Sequence, residues 1–493
     1  MASESWTPRI FNAVALAALA VFAVRLAALW AGRWSYPYDL EWMEGGMLVH
    51  AWRLLHGRPL YPEPGPDFIP FVYPPGQASL LAFLANLFPL GAPLGRATSI
   101  VASLGAAGSL VYALRRVSGR WVPGWFAAGL FLTGYRFSGA FYDLVRIDAL
   151  SICLLGGSIA LALDGRRGTR LASGLMLVAA FLVKHHAVLF GVPLLILIYR
   201  RDGWRPAWRF ALAAAVPALV LTAYLQWVTG GRFLSYLLDV PAAHGAVYER
   251  GFPGSVVELW EAYPLVSVVV GAAMILAAVR RDAARSEQGG GIFGIALTAM
   301  CVSAVMRAHQ GGFVNVLIPA YWALCLGFGW LAAQWRSVVG SALVAFVVVG
   351  QVGWAMYRFD AEKLTPTITD RRTGDTVVEL LRSAETPVLS PFAPWLPVLA
   401  GHEPAFHLIA LWDIEHHRRS PYPDLGRRIR HAVRYRHWAT VVDGKQSMEY
   451  GVKEAYRVGP RLPIRAGAFR PRTGWPAPLG GLRVGPTNGE GGD

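Results

Sequence analysis

The residues whose types and spacing could do chemistry begin with three carboxylates, Asp39, Glu41 and Glu44, in the stretch YPYDLEWMEGG directly after the first long apolar segment. Burying an unpaired carboxylate costs several kcal/mol, so acids this close to a bilayer face a water-filled cavity, a cation or a substrate. The stretch runs on through LLHGRPLY to VYPPG, where Tyr73 precedes two prolines. Polar groups recur at other apolar boundaries: Asp143, Arg146 and Asp148 in YDLVRIDAL, Lys184 with His185 and His186 in VKHH, and Arg307, His309 and Asn315 in RAHQGGFVN. Lys184 stands apart because the chain holds four lysines against 42 arginines and none of the others precedes Lys363. An ammonium is a compact charge able to hold a phosphate, and equally a group that snorkels to the interface. For the acids the competing reading is a helix start, where carboxylates are favoured; it covers Glu41 and Glu44 better than Asp39. A local ion pair competes for Arg146 and Asp148. Adjacent histidines without a third spaced ligand are a weak metal signal.

The elements that must position these groups are membrane spans. Of 493 residues, 54% are hydrophobic and 16% charged, where a soluble domain carries about 25% charged. The net charge of +15 does not point to nucleic acid, because many basic residues punctuate apolar segments instead of clustering on one soluble face. The three cysteines, Cys153, Cys301 and Cys325, all lie in apolar runs and offer neither a disulfide framework nor a metal motif. Apolar length gives an all-α polytopic protein of eleven spans: 8–31, 93–114, 121–135, 147–163, 170–183, 187–199, 207–229, 263–279, 291–306, 314–334 and 337–357. The first exceeds a signal-peptide core and reads as retained.

Arginine-bearing links recur at Arg115, Arg116 and Arg120; at Arg166, Arg167 and Arg170; at Arg200, Arg201, Arg205 and Arg209; at Arg280, Arg281 and Arg285; and at Arg336. The positive-inside rule makes these links cytoplasmic. The amino terminus is then inside, the carboxyl terminus outside, and the polar groups above all face the external side. This requires that 76–90, broken by Pro89, lies along or re-enters the membrane; if it crosses, the count is twelve. The domains are thus 1–357 in the membrane with an external loop at 32–92, a small soluble external α/β unit at 358–458, and a Pro/Gly-rich tail at 459–493 that reads as disordered.

The ordered series DLEWMEGG, LLHGRPLY, VYPPG, LGRATS, RIDAL, VKHH and QGGFVN resembles bacterial members of the GT-C superfamily of integral-membrane glycosyltransferases, relatives of protein O-mannosyltransferases and lipid A aminoarabinose transferase. The resemblance implies a GT-C-like fold in the bacterial inner membrane and transfer of a sugar from a polyprenyl-phosphate donor to a glycan, lipid or protein acceptor. It puts the catalytic acids on Asp39 with Glu41 or Glu44 in the first external loop and on Asp148 or Asp143 in the second. The donor phosphate falls to Lys184, with Arg96, Arg146 and Arg307, and further substrate contacts to Tyr73, His185, His309 and Asn315. Two departures keep the donor sugar open: the acids of the first loop are not adjacent as in the mannosyltransferases, and Tyr73 stands where the aminoarabinose transferases have lysine.

The chemistry required is a general base for an acceptor hydroxyl, with Asp39 the first choice, and a cation for the leaving phosphate. Lys184, an arginine or a divalent metal such as Mg or Mn, held by carboxylates, could supply that cation. A lateral apolar groove should take the isoprenoid. The rival reading is a transporter or flippase of a lipid-linked or anionic substrate, since intramembrane charge also marks transport paths. A third is an assembly factor that recruits partners through its soluble end.

Overall fold

The computed structural model describes residues 6–280, 287–415, 419–445, 448–464 and 467–485; Arg281, Arg285 and the last eight residues of the expected tail lie outside them. Among the described residues, seven helices are long and apolar enough to cross a membrane: Trp6–Arg33, Ala92–Ser118, Ile147–Asp164, Trp204–Val228, Gly289–Ala308, Val314–Gln334 and Val338–Tyr357. The four other expected spans fall on shorter helices, Val122–Thr133, Arg167–Val183, Gly191–Asp202 and Pro264–Arg280. Segment 76–90 holds the nine-residue helix Gly76–Leu84, about 14 Å long and so half of a ~30 Å hydrocarbon core.

Burial separates the helices. Val314–Gln334 is 89% buried along its apolar window and Trp204–Val228 0%, so the first is the centre of the bundle and the second faces lipid. With no hydrophobic drive between helices in a bilayer, small residues and interhelical hydrogen bonds hold them together. Gly156 lets Ile147–Asp164 approach Trp322, where an added Cβ would meet the indole at 2.9 Å and the Ser109 hydroxyl at 2.7 Å. The Trp322 indole N–H donates to the Ala106 carbonyl at 2.9 Å.

Two serines of Ala92–Ser118 fix the irregular chain before Ile147. The Ser99 and Ser103 hydroxyls donate to the carbonyls of Leu144 (2.5 Å) and Tyr142 (2.7 Å). Non-helical backbone at this depth needs such partners, and the anchoring places Arg146 and Asp148 at the next helix start.

The first loop is built on the helix Glu44–Leu55. His50 ties the rest of the loop to it: Nδ1 donates to the Gly46 carbonyl at 2.6 Å and Nε2 accepts from the Phe71 N–H at 2.9 Å. Burial lowers this imidazole to about 4, so it stays neutral and keeps the tautomer that both bonds require.

The soluble unit carries a four-stranded sheet of order β1-β2-β4-β3, with β1 Val388–Leu389, β2 Thr440–Gly444, β3 Arg457–Arg461 and β4 Leu479–Val484. β1 and β2 are parallel, with the helices Leu408–Glu415 and Leu425–Arg434 in the crossover; β4 pairs antiparallel with both β2 and β3. The expectation of a disordered tail from 459 therefore does not hold for 459–464 and 467–485. Pro and Gly suppress the hydrophobic pattern there, yet β4 lies between two strands and buries Leu479 and Leu482.

The same segment folds back on the first loop. The Arg472 N–H donates to the Leu40 carbonyl at 2.7 Å, Thr473 forms a bridge with Glu41, and the Thr473 hydroxyl donates to the Gly139 carbonyl at 2.7 Å. His407 adds a second tie, with Nε2 donating to the Trp42 carbonyl at 2.8 Å and Nδ1 accepting from the Ile409 N–H.

Candidate active site

A cavity of about 350 Å³ lies where the first loop, the Ile147 helix start, the Lys184 turn, the 306–316 turn and the soluble unit meet. Two ion pairs line it. The Arg146 guanidinium donates to Glu41 Oε2 at 2.9 Å and to the Tyr73 hydroxyl at 3.1 Å. Lys184 Nζ donates to Asp148 Oδ1 at 2.7 Å, and the Asn315 amide donates to the same oxygen at 2.9 Å. Among the described residues, buried Asp148 Oδ2 has no hydrogen-bond partner.

The positions follow from local folding. Arg146 is the extended residue before the helix Ile147–Asp164, and Asp148 sits in its first turn, where the helix dipole favours an anion. Lys184 is the extended residue that ends Arg167–Val183, between that helix and the 3₁₀ turn His185–Phe190.

Burial sets the charge states of the loop acids. It pushes the Glu41 carboxyl up to about 7 against the pull of Arg146. Asp413, which also lines the cavity, is likewise raised to about 7 by burial, with Arg146 opposing. His185 is lowered to about 4 by burial and by the Lys184 charge. The cavity therefore holds neutral imidazole and two carboxyls balanced near neutrality, a range suited to general base catalysis.

Of the residues expected at a site, Glu41, Asp148, Lys184, Arg146, Tyr73, His185, His309 and Asn315 line this cavity. Glu44 does not. It is buried against Arg96, whose Nε and Nη2 donate to its two oxygens at 3.0 and 2.7 Å, and it also accepts the N–H groups of Val145 and Leu40. Neither Glu44 nor Arg96 is among the residues that line the cavity, and Arg96 further holds the Tyr38 carbonyl at 2.6 Å. Arg307 is doubly bonded to Glu258 at 2.6 to 3.1 Å. Asp143 pairs with Arg33 at 2.8 Å, both fully buried.

Asp39, the first choice for a base, lies outside the cavity, in a narrow space between Tyr36, Tyr38 and Trp395. Its carboxylate accepts the Gly45 N–H, and burial together with the Glu44 charge raises its pKa well above the usual range.

A Mg or Mn ion does not fit the donor set. Such a cation wants several oxygen ligands, whereas Glu41 and Asp148 each have a cation, Arg146 or Lys184, already on one oxygen. Among the described residues no three His, Cys, Asp or Glu side chains are placed to hold a metal. Sequence reasoning missed Asp413, Trp412 and Trp475; an acid directly after a tryptophan in LWDIE was the available signal.

Residues 71–306 match the model of glycosyltransferase family 87. Two solved structures share the fold over 94% of this chain and 97% of theirs. ArnT from Cupriavidus metallidurans bound to undecaprenyl phosphate has a TM-score of 0.61 at 12% identity, and its apo form 0.59 at 14%. No curated protein matches the sequence. The family match spans just under half of the chain, and with the shared fold it makes the chain similar to integral-membrane glycosyltransferases. The chain is similar to ArnT in architecture, and it carries a small sheet-bearing unit at its carboxyl end.

Proposed function

We propose that this chain moves a sugar from a polyprenyl-phosphate donor to an acceptor hydroxyl, with inversion, in the cavity that holds Glu41, Asp148 and Lys184. The observation that carries the reading is the placement of both carboxylate–cation pairs in one cavity, and a separate lateral apolar groove could take the lipid tail. That groove, about 210 Å³, is lined by Phe181, Val188, Leu195, Phe210 and Ala214, and it starts on the turn that presents Lys184. The lipid tail lies there; the phosphate meets Lys184, Arg146 and the first turn of Ile147–Asp164. The undecaprenyl phosphate bound to the similar ArnT supports a donor of this chemistry.

Arg146 is shared between Glu41 and the incoming phosphate. As the phosphate draws the guanidinium, Glu41 loses its counter-charge, becomes more basic and takes the proton of the acceptor hydroxyl. The acceptor oxygen bonds to the anomeric carbon, the bond from that carbon to the phosphate oxygen breaks, and the lipid phosphate leaves as an anion held by Lys184 and Arg146. Asp148 and Asn315 keep the ammonium aimed. The site faces the exterior of a bacterial plasma membrane, with the amino terminus cytoplasmic.

The test is purified protein in lipid, given polyprenyl-phosphate sugars and candidate acceptors, with donor consumption and product anomer measured. Turnover that Glu41→Gln abolishes supports the reading. Movement of donor across vesicles with no chemical turnover would replace it with a transporter.

A further inference from the structure

Beside the cavity, the soluble unit carries a second concavity of about 620 Å³ lined by Phe392, Trp412, Tyr450, Lys453, Glu454 and Trp475. It shares Glu449, Tyr450, Gly451 and Glu454 with a further cleft of about 650 Å³ that continues along Arg430 and Arg434. Each is on the scale of a whole small-ligand pocket, ~300–1,000 Å³, so together they take an extended chain rather than one ring.

The wall between this cleft and the cavity is aromatic. Trp475 lines both. Its ring lies 4.8 Å from Trp42, 5.7 Å from Trp412 and 6.0 Å from Phe392, centroid to centroid. Trp42 directly follows Glu41, and Asp413, which lines the cavity, directly follows Trp412. Trp475 is thus the residue shared by the cavity that holds Glu41 and Asp413 and the cleft that holds Trp412.

We infer that this cleft binds the acceptor as an oligosaccharide chain, whose terminal sugar passes Trp475 to present its hydroxyl at Glu41. The inference rests on the transferase reading and names its acceptor class. A pyranose has an apolar face of C–H groups and a rim of hydroxyls; indole faces meet the first, and mixed carboxylate and ammonium groups such as Glu449, Glu454 and Lys453 meet the second. Both signs of charge line the cleft, as hydroxyls that donate and accept require, where a polyanion would call for one sign. The lining is too polar for the acyl chains of a lipid acceptor.

The experiment uses the full chain in lipid nanodiscs with neutral probes, maltohexaose, cellohexaose and mannohexaose, against their monosaccharides. At least one hexasaccharide should quench tryptophan fluorescence with about tenfold or greater preference over its monosaccharide, a difference of about 1.4 kcal/mol. Two variants follow. Trp412→Ala should weaken that binding about tenfold, and Glu454→Trp, at an exposed rim position, should block it sterically while the fold survives. In transfer assays Glu454→Trp should raise the acceptor KM. Equal response to every hexasaccharide and its monosaccharide, or a silent Glu454→Trp, overturns the cleft assignment even if donor is consumed. Hexasaccharide binding without any donor cleavage would instead remove the transferase reading and leave the cleft as a glycan site.

Discussion

Arg146 joins Glu41 and Tyr73 through one guanidinium, at 2.9 Å to the carboxylate and 3.1 Å to the phenol oxygen. The three residues come from the loop after the first span, the end of that loop and the start of the span Ile147–Asp164, so a single planar cation sets the spacing of the cavity. Two oxygens are addressed by one rigid fork, a geometry that lysine cannot reproduce.

Arg146→Lys should therefore keep a positive charge and lose the shared fork. Donor KM is expected to rise and turnover to fall by about ten- to a hundredfold, the scale of one lost charge-assisted hydrogen bond at ~1.5–3 kcal/mol. Arg146→Ala should do more, because it leaves Glu41 buried without a counter-charge at a cost of about 3–5 kcal/mol. Thermal unfolding in lipid distinguishes the two: a large drop in Tm for alanine and a small one for lysine.

The pH profile should carry the signature of the base. With Glu41 held at about 7 in the free protein, kcat/KM should climb with pH up to about 7 and then level, since only the carboxylate accepts a proton. Asp413 is also raised to about 7, so the variants assign the limb: it should persist in Asp413→Asn and disappear in the residual rate of Glu41→Gln. Stability moves the opposite way. The folded protein keeps protons on both groups that the unfolded chain loses near pH 4, so their contribution is full below about pH 4 and is lost as pH rises to about 7. Asp39→Asn, in a side chain away from the cavity that an amide can still bond to the Gly45 N–H, should leave turnover largely intact.

How far the sequence could be read depends on the kind of constraint. Lys184, Asp148 and Glu41 stood out in the sequence because charge at a membrane boundary is rare, and the structure brings all three to one cavity. Of the three acids in six positions the sequence ranked Asp39 first, whereas Glu41 lines the cavity, because what sorts them is Arg146 beside Glu41 and Arg96 beside Glu44, pairings that exist only in the folded chain. The helical bundle followed from apolar length alone, while the four shorter helices fell near the limit at which length decides. The strand Leu479–Val484 and Trp475 were hidden by their glycine and proline neighbours; their order comes from β2, β3 and the first loop, none of which is local.

The Lys184–Asp148 pair makes a double-variant cycle informative. Lys184→Ala leaves Asp148 buried beside Asn315 alone and should both destabilise the protein and weaken donor use. Adding Asp148→Asn removes the stranded charge, so Tm should recover toward wild type while turnover does not, because the phosphate still lacks its ammonium. Recovery of activity along with stability would make the pair a structural brace and move the phosphate elsewhere.

Glu44 and Arg96 should behave as scaffold. Both side chains are fully excluded from solvent, and breaking such a pair from one side strands a buried charge at about 3–5 kcal/mol. Arg96→Met should lower Tm sharply and reduce the yield of folded protein. The loss reaches beyond one contact, because Arg96 also holds the carbonyl of Tyr38 and its partner Glu44 holds the N–H groups of Leu40 and Val145. The protein that does fold should retain its pH limb near 7 and its donor KM within about threefold of wild type, well under the tenfold that a contact worth 1.4 kcal/mol would produce. A variant that folds normally yet fails to use donor would instead place Arg96 at the phosphate, against the geometry that encloses it.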